Sequence, residues 1–160
     1  QGGDFMKKVF FAFCFVILLC TGCNATNNEK KIMNCDLKST NSVQGYTLTS
    51  KYTVYYTGDS VNSVETKEEV KSDEESILDY FEKTLTNTYE TANENYGGYD
   101  NNITRSDNSI TSITKIDYNK MDMKKYIDDN TAVKSYVNSD NKFTIDGIKS
   151  IYEAMGAICK

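Results

Sequence analysis

The chain of 160 residues contains no histidine, no tryptophan and no proline. The missing histidine removes the commonest general base and the commonest transition-metal ligand. Catalytic groups built on imidazole are therefore excluded, and so is any zinc site of the cysteine–histidine kind. Basic residues do not gather either. Lysines are scattered among Asp and Glu at a net charge of −5. The clustered positive stripe that phosphate backbones require is lacking, which argues against a nucleic-acid partner. Apolar content of 39% and charged content of 26% are ordinary for one soluble domain with a targeting segment.

Long apolar runs are reduced to one, residues 9–19. It is shorter than the roughly 20 residues a membrane span needs. Lys7 and Lys8 precede it, and Cys20-Thr21-Gly22-Cys23 follows. A positive start, a short apolar centre and small residues before a cut make a secretory signal. Met6 is the natural start of this signal, so residues 1–5 read as an upstream extension and residues 6–22 as the signal itself. Thr21-Gly22-Cys23 resembles a lipobox, whose cysteine carries diacylglycerol and palmitate after cleavage. Cys20 stands three places before the modified cysteine, where the pattern favours Leu. Ordinary cleavage after Ala25 is the competing outcome. The reading adopted is a lipoprotein anchored through Cys23 to the extracytoplasmic face of the cell membrane.

The five cysteines then divide. Cys14 and Cys20 leave with the signal, Cys23 carries lipid, and Cys35 and Cys159 remain. Two cysteines in an exported chain favour a disulfide over two free thiols. Closing so long a loop is worth about 4–5 kcal/mol in the chain-entropy treatment.

Residues 23–34 read as a polar tether and residues 35–160 as one domain. Tyr46, Leu48, Tyr52, Val54 and Tyr56 share one face of a period-two pattern, which predicts a half-buried strand over 46–57. Gly58-Asp59-Ser60 is a turn, and residues 61–70 return as the second strand of a hairpin. The period then changes. Ser72 and Glu75 carry a capping-box signature, and Ile77, Leu78, Phe81, Leu85 and Tyr89 follow at helical spacing, which predicts a helix over 74–93. A second hairpin is expected over 102–105 and 109–118 around Ser106-Asp107-Asn108. Short helices are expected near 121–127 and 131–137, and a last helix over 144–155 with Ile148, Ile151, Tyr152 and Met155 as its stripe. The fold class expected is α+β: an antiparallel sheet of about four strands in two hairpins, with one long helix and shorter C-terminal helices packed on one face.

At these residues the chain resembles the YehR-like bacterial lipoproteins of the Gram-positive type. Tyr46-x-Leu48, Tyr55-Tyr56-Thr57-Gly58-Asp59-x-Val61 and Ile116-Asp117-Tyr118-x-Lys120-x-Asp122 carry the resemblance, behind a lipobox and around one long helix. It covers roughly residues 35–159. Its members also place one cysteine after the tether and one near the carboxyl end. The resemblance implies an extracytoplasmic α+β domain and supplies no catalytic residue.

Other constellations have bland readings. Asp146-Gly147 followed by Glu153 matches three positions of a calcium loop, but Lys142 falls on the first ligand position, which excludes the ion. Asp146 is better read as a first-turn acid. Asp100-Asn101-Asn102 and Asp107-Asn108 read as turn formers. Glu68-Glu69, Asp73-Glu74-Glu75 and Asp128-Asp129 are sequence neighbours on solvated faces, whereas glycosidase chemistry needs carboxyls facing across a cleft. No metal or cofactor is implied. Tyrosine, with 12 residues, is the enriched type suited to recognition. Outward Tyr55 and loop residues Tyr96 and Tyr99 are the candidate interaction residues. The function expected is a non-enzymatic binding or accessory module, with an envelope protein or a small ligand as partner besides the membrane. A small-molecule or peptide carrier, and a hydrolase without histidine, are the alternatives.

Overall fold

Alternating side chains decide the architecture. A computed structural model describes residues 29–160. The signal, Cys23 and the competing cut after Ala25 lie outside the described residues. Six strands form one antiparallel sheet: β1 (Lys30–Asn41), β2 (Tyr46–Thr57), β3 (Ser60–Ser72), β4 (Tyr99–Ser106), β5 (Ser109–Asp117) and β6 (Ile158–Cys159). Their order across the sheet is β4-β5-β3-β2-β1-β6. The helices are α1 (Glu75–Tyr96), α2 (Met123–Asp129) and α3 (Ile145–Ala154), with a 3-10 helix over Thr131–Tyr136. None of them is long and apolar enough to cross a membrane.

The α+β class and the antiparallel sheet agree with the sequence reading; the strand count does not. Two strands are added to the expected four. β1 starts at Lys30, inside the stretch read as tether, and pairs along its whole length with β2. β6 is two residues long and pairs with β1 at Cys35↔Cys159 and Asp36↔Ile158. The helical part also differs. Residues 131–137 form a 3-10 turn that ends in a bridge between Val137 and Phe143 rather than an α-helix. Ser72 closes β3 instead of capping α1. Its hydroxyl donates to the Gly45 carbonyl at 2.8 Å and accepts from the Glu74 amide at 3.1 Å, while Glu74 takes the N-cap position.

The aromatic and ionic contacts between helices and sheet fall on one face. Tyr46 meets Phe81 of α1, and Tyr52 stacks on Tyr152 of α3 with centroids 4.1 Å apart. Arg105 reaches Asp79 and Glu82 of α1. The main core joins Met33, Cys35, Val54, Val61 and Val64 of the strands to Phe143, Ile148 and Tyr152. Burying each such aliphatic side chain contributes roughly 1.5–3 kcal/mol. Val70, Ile110 and Leu78 are buried outside that cluster. Between the two apolar zones the same face is polar: Ser50, Thr66, Ser112 and Thr114 are all buried. Asn101 of β4 donates to the Ser112 and Thr114 hydroxyls at 2.8 and 2.7 Å. Those bonds keep Asn101 in a strand, against its reading as part of a turn. Cys35 and Cys159 form the disulfide, with Cα atoms 4.0 Å apart.

Candidate functional site

With the helices on one face, the other face of the sheet is left to solvent. Its side chains are the alternate set: Thr53, Tyr55 and Thr57 on β2, Ser63 and Glu65 on β3, Lys115 and Asp117 on β5, and Asp100 on β4. All of these but Thr53 line an open groove of about 820 Å³, joined by Lys30, Asn62, Asn119 and Lys120 from its rim. The groove's volume is within the range of small-ligand sites, roughly 300–1,000 Å³.

A β-bulge builds the groove. Tyr55 pairs with Ser63, but Tyr56 pairs with Val61, so Asn62 is the extra residue. Bulges bend a strand and re-aim its side chains, and they recur beside functional sites. Here the Asn62 side chain donates to Thr57 Oγ1 at 2.9 Å, and its carbonyl accepts from the Tyr118 amide at 3.0 Å. The Asn119 amide group reaches the same carbonyl at 3.5 Å. The far wall is held by Gly98, whose φ of +80° suits a residue without Cβ. Its carbonyl accepts from the Asp117 amide at 2.8 Å, and a Cβ there would come within 2.7 Å of the Asp117 carbonyl oxygen.

The groove is charged but balanced. Lys115 Nζ lies 3.8 Å from Glu65 Oε2, and Lys120 Nζ lies 3.6 Å from Asp117 Oδ2. Such exposed pairs contribute little to stability. A second, smaller groove of about 600 Å³ lies further along the sheet, bordered by Lys38, Lys51, Lys67 and Ile158.

Of the three candidate tyrosines, two border the large groove. Tyr55 points outward into it. Tyr99 borders it from the inner row of β4, where its register partner is Ile116 and its ring lies 6.5 Å from that of Tyr89. Burial, with Tyr126 and Tyr96 beside it, pushes the Tyr99 phenol up to about 12. Tyr96 lies elsewhere. Its ring meets Tyr126 edge-on, and Lys125 Nζ sits 4.7 Å from its centroid. The residues that shape the groove beside Tyr55 are Asn62, Ser63, Lys115 and Asn119. Sequence reasoning passed over them, because a bulge leaves no mark on a period-two pattern.

The acidic neighbours separate as strand geometry requires. Glu69 faces outward, 3.4 Å from Lys71, while Glu68 faces the helices and accepts from the Tyr89 hydroxyl at 2.7 Å. Burial holds the Glu68 carboxyl above its ordinary value, and the Tyr89 bond partly offsets this. Asp128 lies 3.0 Å from Lys124 and Asp129 lies 3.0 Å from Lys125 on α2. Asp146 lies in the first turn of α3, where Thr144 Oγ1 caps the Gly147 amide at 3.0 Å.

No family model matches the chain, and no curated protein matches it. The fold is similar to that of the Escherichia coli YehR protein, known from its NMR structure: 82% of this chain and 91% of that one align with a TM-score of 0.55 at 14% identity. An NMR structure of a protein from Streptococcus pneumoniae TIGR4 aligns over 86% of this chain and 88% of its own, with a TM-score of 0.48 at 18% identity. At such identity the YehR likeness concerns the fold, and it agrees with the YehR-like α+β architecture read from the sequence.

Proposed function

We propose that this chain is an extracytoplasmic lipoprotein, held to the cell membrane by lipid on Cys23, whose domain is a non-enzymatic binding or accessory module. The observation that carries the reading is the groove of about 820 Å³ on the helix-free face, centred on the bulge at Tyr55. Lys30, at its rim, is also the first residue of β1. Counted from Cys23, the intervening segment is a few residues long and extends at most about 3.3–3.6 Å per residue. Lipid on Cys23 would therefore hold this end of the sheet near the bilayer surface. The disulfide between Cys35 and Cys159 suits an oxidising compartment.

The charged side chains of Glu65, Asp100, Lys115, Asp117 and Lys120 in the lining favour this reading over carriage of a wholly apolar molecule, which would have to desolvate them. It is also favoured over hydrolysis. Glu68 and Glu69 are on opposite faces, so that pair does not converge on one substrate, and in the groove Glu65 and Asp117 each stand beside a lysine.

Two measurements test the reading. Palmitate labelling of the expressed chain is expected to mark wild type and not Cys23→Ala. An unlabelled chain with Thr26 at its amino terminus would contradict the anchor. For the module itself, Ser63→Arg fills the groove from its floor. Crosslinked envelope preparations are expected to yield a partner or ligand with wild type that Ser63→Arg fails to retain. Equal recovery by both would remove the groove from the function.

A further inference from the structure

We propose that the groove beside Tyr55 binds a neutral oligosaccharide. The inference rests on the binding-module reading of this groove and names its ligand class.

Charge decides first. Lys115 stands 3.8 Å from Glu65 and Lys120 stands 3.6 Å from Asp117, and Lys30 and Asp100 add one charge of each sign, so the formal charges of the groove cancel. An anionic ligand meets Glu65 and Asp117, and a cationic one meets Lys115 and Lys120. Neither gains the unbalanced field that makes charged recognition strong. A polyhydroxylated neutral ligand suffers no such conflict. Its hydroxyl groups both donate and accept, and the groove offers ammonium donors and carboxylate acceptors side by side.

The aromatic group decides next. Tyr55 is half-buried, points into the groove and has no aromatic ring against it among the described residues. Most other tyrosines are engaged: Tyr52 with Tyr152, Tyr89 with Tyr99, Tyr96 with Tyr126, and Tyr118 with Phe143. A lone ring on a polar face is a platform for a ligand that is apolar on its C–H face and polar at its rim, as a pyranose is. Ser63, directly across from Tyr55 in the β2–β3 register, makes no side-chain hydrogen bond within the described residues.

Strand geometry excludes the main competitor. An extended peptide adds to a sheet through a free strand edge. The groove lies on the sheet face, mainly over β2, β3 and β5, each of which is paired on both sides, while the edge strand β4 adds only Tyr99 and Asp100 at one end. Main-chain groups there are already bonded, so the ligand must be read by side chains. The bulge at Asn62 and the close approach of Gly98 to Asp117 set the backbone from which those side chains project.

The test uses the exported chain with Cys23→Ser, which removes the lipid and leaves the described fold intact. Amide spectra are recorded with chitotetraose, cellotetraose and maltotetraose, and with inorganic phosphate and polyglutamate as charged probes. At least one neutral tetrasaccharide, at about 10 mM, is expected to shift the amides of Tyr55, Ser63 and residues 115–120, a concentration that reveals even millimolar affinity. Tyr55→Ala is expected to weaken that binding by about tenfold, and Tyr55→Phe by less than about threefold, because the ring and not the hydroxyl is the platform. An unchanged spectrum remote from the groove shows that each variant folds. Absence of groove shifts with all three saccharides, or equal binding by Tyr55→Ala, overturns the inference. Groove shifts with phosphate or polyglutamate alone also overturn it, while leaving the groove as a binding site. Groove-blocked Ser63→Arg that retains the envelope partner fails the module reading itself, independently of the saccharide result.

Discussion

Removing the Cys35–Cys159 bridge is the perturbation whose magnitude follows most directly from the fold. The two cysteines are 124 residues apart in sequence and neighbours in space, one on β1 and one on β6. A crosslink that closes so long a loop restricts the unfolded chain by about 5 kcal/mol in the chain-entropy treatment. Stability of a domain this size is roughly 5–15 kcal/mol, so the bridge accounts for a third of it or more. The double variant Cys35→Ala/Cys159→Ala avoids burying a hydroxyl at Cys35, which is 1% exposed. With a urea m-value of about 2 kcal/mol/M, its unfolding midpoint is expected to fall by about 2.5 M relative to the oxidised protein. Wild type reduced before unfolding is expected to match the double variant. A local account makes a different prediction. The carboxyl end is also held by the paired bonds between Asn34 and Lys160, at 3.1 and 2.8 Å. If the bridge only pinned this end, amide exchange at Ile158 to Lys160 would rise and the midpoint would stay in place. A midpoint shift below about 0.5 M would refute the unfolded-state argument.

Other perturbations test other parts of the structure. Glu68 has its carboxyl raised above the ordinary value of 4.5, chiefly by burial, so the folded state binds its proton more tightly than the unfolded one. The stability this gives is present in full below about pH 4.5 and is lost as pH rises through the folded value. Glu68→Gln, which keeps an acceptor for Tyr89, should therefore gain midpoint over wild type at pH 7 and converge with it below pH 4.5; urea midpoints across that range check the sign. Leu78 is the one α1 residue counted as fully buried. Leu78→Ala should cost about 3 kcal/mol by thermal or urea unfolding, and a cost under 1 kcal/mol would mean that α1 is not docked as described. Gly98→Ala meets both a positive φ and the Asp117 carbonyl 2.7 Å away, whereas Gly45→Ala meets a positive φ with open space around it. Both should lose about 1 kcal/mol to backbone strain, but only Gly98→Ala should lose more and move the Asp117 and Lys120 amides.

Legibility in the sequence followed burial. β2 was readable because Ser50, Tyr52 and Val54 are buried while Lys51 is exposed and Thr53 only half-buried, which is a period of two. β1 was not. Its alternation is confined to Met33, Cys35 and Leu37, and its Lys30-Lys31 start looks like tether. β6 has two residues, too few for any pattern, and exists because the disulfide and Asn34 hold it against β1. Asn101 reads as a turn former and is a strand residue, because two buried hydroxyls satisfy its amide. Within the groove, Tyr55 was legible as the outward member of an alternating strand. Asn62, Lys115 and Asn119 were not, since they meet only through the bulge and through strand order, and both are tertiary facts. Tyr96 shared the signal of Tyr55 but spends its ring on Tyr126 and Lys125.

Photocrosslinking on intact cells addresses the binding face directly. A benzophenone side chain placed at Tyr55 reports on the groove, and one at Lys124 reports on the exposed helical side of the domain. The account predicts a covalent adduct from position 55, diminished by an excess of the tetrasaccharide that binds, and none from position 124. An adduct from position 124 with position 55 silent would contradict it.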